Sequence, residues 1–61
     1  MNKGALQEEQ FLLNKRRKRL DVFLGSSGKS ELSPDDLERL QRQQRLMREY
    51  SEVLAERIAA F

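Results

Sequence analysis

The chain has no cysteine, no histidine and no tryptophan, and only one proline and one tyrosine. Without cysteine there is no disulfide, no thiolate metal site and no thiol nucleophile. Without histidine, the usual general base near neutral pH and the commonest metal ligand are both missing. Val22, Val53 and Ile58 are the only β-branched residues, so strands are not expected. With 61 residues the chain is too short for a parallel sheet with crossover helices, which excludes a nucleotide-binding α/β fold. No apolar stretch approaches the ~18 residues of a membrane span. The N-terminal segment has no hydrophobic signal core. These absences fit a cytoplasmic protein with no cofactor and no membrane partner.

Good helix formers make up much of the rest. Glycine stands only at 4, 25 and 28 and proline only at 34, leaving two breaker-free runs rich in Leu, Glu, Gln, Lys and Arg. The pattern predicts one helix over about 5–24, a loop over 25–32 and a second helix over 34–61. Gly25 is the expected left-handed C-cap of the first. Ser33 is the expected N-cap of the second, with Pro34 at the first helical position. The Ser33 hydroxyl can accept from the Asp36 amide while the Asp36 carboxylate reaches back. Leu32 and Leu37 have the spacing of a hydrophobic staple.

The second helix carries a heptad stripe: Leu37, Leu40, Gln44, Met47, Ser51, Leu54, Ile58 and Phe61. Four pairs spaced four apart support its outer face, Asp35–Arg39, Glu38–Arg42, Arg45–Glu49 and Arg48–Glu52, each worth about 0.2–0.5 kcal/mol. The first helix has a thinner seam of Leu6, Leu13, Leu20, Phe23 and Leu24, interrupted by Glu9, Gln10, Arg16 and Arg17. The fold class is therefore all-α, an antiparallel two-helix hairpin.

Helix two also has apolar residues off its seam. At about 100° per residue, Leu46, Tyr50, Val53 and Ala60 form a second stripe beside Met47. The combined apolar arc covers about half the circumference, whereas one partner helix covers roughly a third. Phe11, Leu12 and Phe23 of helix one, a second chain, or a foreign partner must cover the surplus. Burial in a homo-oligomeric helical bundle is the reading adopted, with Leu46, Met47, Tyr50, Val53, Leu54, Ile58 and Phe61 at the interface.

The net charge is +2, but residues 1–30 balance at +4 and residues 31–61 at −2. Most of the positive excess lies in Lys15, Arg16, Arg17, Lys18 and Arg19. Five consecutive positions wrap the helix, so Arg16 or Arg17 must lie near the seam with its stem packed. The run is either a solvated face paired with Glu49, Glu52 and Glu56, or an anion site in which arginines hold phosphate oxygens. In the second case Arg48 and Arg57 are candidates to join it. Gly25-Ser26-Ser27-Gly28-Lys29-Ser30 is not a phosphate-binding loop, because Phe23 stands where that motif needs glycine. Asp35 and Asp36 read as cap residues. No nucleophile, base and oxyanion donor can be assembled, so an enzyme is not expected.

Leu20-x-x-Phe23-Leu24-x-Ser26, the capped Leu32-Ser33-Pro34, and Gln44-x-x-Met47-x-x-Tyr50-x-x-x-Leu54-x-x-Arg57-Ile58-x-x-Phe61 together form a family pattern. Over residues 9–61 the chain resembles the small helical-hairpin proteins carried by tailed phages and crAss-like phages. The resemblance implies a phage accessory protein acting in the host cytoplasm, without implying an activity. In kind, though not in motif, it is similar to phage anti-CBASS and anti-Thoeris sponges, small helical oligomers that trap cyclic nucleotide signals. Three functions follow as expectations. The first is counter-defence, by sequestering an anionic, cyclic-nucleotide-type signal or blocking a host immune protein. The second is a nucleic-acid-associated regulator using the basic run. The third is an assembly module docking Leu46, Tyr50 and Val53 on a phage or host protein.

Overall fold

A computed structural model describes residues 2–61; Met1, the first residue of the expected domain, lies outside the described residues. Helix α1 spans Lys3–Leu24, a 3-10 turn spans Ser27–Glu31, and helix α2 spans Pro34–Ala59. No described residue is in a strand. The chain forms a rod of 43 × 15 × 14 Å, one long helix in length and two helices in width. Side-chain bonds from Asp21 to Gln44, from Gln10 to Ser51 and from Glu9 to Tyr50 show the helices running antiparallel.

Helix α1 begins two residues before the expected position. The Asn2 side chain accepts from the Ala5 amide at 2.7 Å, and this cap carries the helix through Gly4. At its other end the expected left-handed Gly25 is corrected: φ is −88° and ψ −3°, a right-handed conformation. Serines close the helix instead. The Ser26 amide and hydroxyl both donate to the Phe23 carbonyl, at 3.0 and 2.7 Å. The Ser26 oxygen then accepts from the Gly28 amide at 3.2 Å. Ser30 donates to the Ser27 carbonyl at 2.7 Å. The expected loop over 25–32 thus contains a 3-10 turn. Phe23 lies over it so closely that a Cβ on Gly28 would stand 3.0 Å from the ring.

The Ser33 hydroxyl accepts from the Asp36 amide at 3.1 Å, and Pro34 occupies the first turn of α2. The Asp36 carboxylate accepts from Arg39 at 2.7 Å rather than reaching back to the cap. That ion pair spans three residues; among the described residues none of the four expected pairs spaced four apart is formed. Helix α2 stops at Ala59, and Phe61 lies beyond it with its amide bonded to the Ile58 carbonyl.

Leu6, Leu13 and Leu54 are buried between the helices, with Met47 and Ile58 packed against them. Ser51 is buried on the same seam. Its hydroxyl donates to Asn14 at 2.9 Å, and its carbonyl accepts from Gln10 at 3.4 Å. Gln44 donates to Asp21 at 2.6 Å. These bonds lie along one side of the seam and make that side of the rod polar.

Candidate functional site

The other side of the seam is different. Leu46 is 57% exposed, Val53 48%, Tyr50 45% and Phe61 64%. Leu12 of α1 adds a further exposed apolar side chain, so α1 does not cover the surplus of α2. The side chains form three shallow concavities. Arg39, Arg42, Gln43, Leu46, Met47 and Tyr50 line one. Glu9, Leu12, Leu13, Arg16 and Tyr50 line the next. Leu6, Arg57, Ala60 and Phe61 line the third. The first two meet at Tyr50. The result is an apolar, aromatic face bearing four arginines, whose guanidinium groups can bind phosphate or carboxylate in a bidentate way.

Tyr50 is tied across the helices by its hydroxyl, which donates to the Glu9 carboxylate. This hydrogen bond, with partial desolvation and the Glu9 charge, pushes the Tyr50 pKa above the ordinary tyrosine value. The Arg57 charge opposes the shift.

The expected anion-binding residues do not form one cluster. Arg16 faces the Tyr50 concavity, and Arg57 lies beside Leu6 and Phe61. Arg17, not Arg16, is the half-buried cation at the seam, and it donates to Asn14 at 3.2 Å. Lys15, Lys18 and Arg19 line a concavity with exposed Val22 on the outer side of α1, and the Lys15 ammonium sits 5.1 Å from the Phe11 ring centroid. Arg48 lies on the outside of α2 with Arg45, Glu49 and Glu52. No intrachain ion pair joins the basic run to Glu49, Glu52 or Glu56 among the described residues.

The expected interface also divides. Leu46, Tyr50, Val53 and Phe61 present free surface. Leu54 is fully enclosed inside the hairpin, and this corrects its placement between chains: it is the deepest residue of the chain's own core. Met47 and Ile58 are half-buried against that core. Three residues of the apolar face were not legible as site residues. Arg39 and Arg42 were assigned to salt pairs along α2, and Glu9 read as a seam interruption. Only the antiparallel register, which brings position 9 to position 50, reveals its role.

Among the described residues, no group of three His, Cys, Asp or Glu side chains can hold a metal ion. Among the described residues no helix is long and apolar enough to cross a membrane. The fold and face define a small helical-hairpin protein with one polar and one apolar, arginine-bearing side. Its sequence matches the Sequestin family model over residues 2–60, and the chain belongs to that family. No curated protein and no solved structure matches it.

Proposed function

We propose that this is a non-enzymatic binding protein that sequesters a small anionic signal of the cyclic nucleotide type. Copies assemble through the apolar face into a helical bundle. The same face, now lined from two sides, holds the ligand. One observation carries the reading: exposed Leu12, Leu46, Tyr50 and Phe61 share their concavities with Arg16, Arg39, Arg42 and Arg57. Flat apolar surface suits a nucleobase, and guanidinium suits phosphate. The family name, Sequestin, agrees with a sequestering role. The setting we propose is a phage protein that disarms a signal of host immunity in the bacterial cytoplasm. Thermal melting with a panel of cyclic di- and trinucleotides tests it. A rise in Tm with at least one is expected, since a ligand bound only to the folded state stabilises it. No shift with any of them overturns it.

A second reading rests on Lys15, Lys18 and Arg19 with exposed Phe11 on the outer side of α1. These residues suit a nucleic-acid backbone. Binding to mixed-sequence DNA or RNA that weakens steeply with salt supports this reading, and absence of binding at low salt ends it.

A further inference from the structure

Glu9 is out of place on a face that binds anions. It sits in the concavity lined by Leu12, Leu13, Arg16 and Tyr50, and it is half-buried there. A carboxylate beside Arg16 repels an incoming phosphate and occupies the guanidinium's field. A site for phosphate alone would be better without it. Within the hairpin Glu9 accepts the interhelical bond from Tyr50, but it lies outside the core of Leu6, Leu13 and Leu54. The ionised carboxylate is a pure acceptor with about four lone-pair positions, and the Tyr50 hydroxyl uses one of them. The remaining positions face solvent, where a hydrogen-bond donor on a ligand can take the place of water.

We infer that Glu9 is a specificity-determining residue that selects a ribonucleotide over its 2′-deoxy counterpart by accepting a hydrogen bond from the sugar 2′-hydroxyl. The inference rests on the sequestration reading above and narrows its ligand class. A nucleotide brings three kinds of group to the face. Its phosphate goes to the arginines, its base to Tyr50 and the leucines, and its sugar hydroxyl is the donor left for Glu9. Acidic side chains read ribose hydroxyls in this way in other nucleotide sites. Tyr50 holds the carboxylate in place while the concavity is empty, so the ligand hydroxyl joins an acceptor that is already oriented.

The test is calorimetric titration of the full chain with 3′,3′-cyclic di-AMP and 3′,3′-cyclic di-GMP, each beside its 2′-deoxy analogue. The wild-type chain should prefer the ribo form by roughly tenfold or more, the scale of a hydrogen bond to a charged acceptor. Glu9→Gln, with helicity checked by circular dichroism, should bring the two forms within about threefold of each other. Tyr50→Phe frees the carboxylate from its internal donor and should keep or widen the preference. A role confined to holding the fold would leave this ratio unmoved in both variants. Equal binding of ribo and deoxy forms by the wild type overturns the inference and leaves the sequestration reading standing. So does an unchanged ratio in Glu9→Gln. Binding of none of the four ligands also overturns the inference, while the sequestration reading falls only if the wider panel of cyclic di- and trinucleotides fails as well.

Discussion

Tyr50 is the one tyrosine of a chain that has no tryptophan, so its ionisation can be followed by near-ultraviolet absorbance without interference. Its hydrogen bond to Glu9 favours the protonated phenol. The folded-state pKa therefore lies above the unfolded value of about 10. The stabilisation tied to this shift is fully present below that unfolded pKa and fades as pH rises through the folded one. Titration should show Tyr50 ionising later than free tyrosine, and Glu9→Gln should move the midpoint back down; an unshifted wild-type curve contradicts the bond. The glycines give a second contrast at the same scale. Gly25 has a right-handed backbone that alanine adopts, and an added Cβ meets only ordinary contacts there. Gly25→Ala should be neutral or stabilise by about 0.4–1 kcal/mol. Gly28→Ala asks the Phe23 ring, 3.0 Å from the new Cβ, to give by a few tenths of an ångström, and should be less favourable than Gly25→Ala. Denaturant melts of the two variants read both effects. The sequence singled out Gly25, but the constraint falls on Gly28, because it comes from a ring that approaches the turn in space.

At the scale of the elements, legibility follows how local the cause is. The start of α2 was readable because Ser33, Pro34 and Asp36 act within four residues of one another. Most of the α2 seam was readable too: Leu37, Leu40, Gln44, Met47, Ser51, Leu54 and Ile58 lie at buried or half-buried positions, whereas Phe61, the last residue of the expected stripe, lies past the helix end and is exposed. The end of α1 at Leu24 was readable from Gly25, but how it is closed was not, because three serine hydroxyls in the connection can bond to several carbonyls and the residue types do not say which. Ser33→Ala should lower stability by about 1 kcal/mol. Leu54→Ala, which empties the centre of the seam, should cost about 2–5 kcal/mol. Thermal or urea melts check both, and a smaller loss for Leu54→Ala than for Ser33→Ala contradicts the core described here.

Across the whole molecule the hairpin separates two surfaces. One side of its seam is closed by Gln10, Asn14, Asp21, Gln44 and Ser51. The other leaves Leu12, Leu46, Tyr50 and Phe61 open beside arginines, with Val53 exposed as well. The surplus of apolar arc was legible in the helical periodicity of α2. Its union with Arg16 and Glu9 was not, because that depends on how two helices are set against each other. Leaving this face in water forgoes about 25 cal/mol for each Å² that a second copy would bury. A core centred on three buried leucines gives the single hairpin little stability in reserve. Changing Leu46 and Val53 together to glutamate should weaken self-association by roughly 2–4 kcal/mol or more, while the polar side of the seam keeps its bonds. The most direct test of the account is sedimentation equilibrium of the unmodified chain at high micromolar concentration. The account predicts a helical particle whose mass is two or more whole multiples of 7.2 kDa, and a stable, fully helical particle of 7.2 kDa would contradict it.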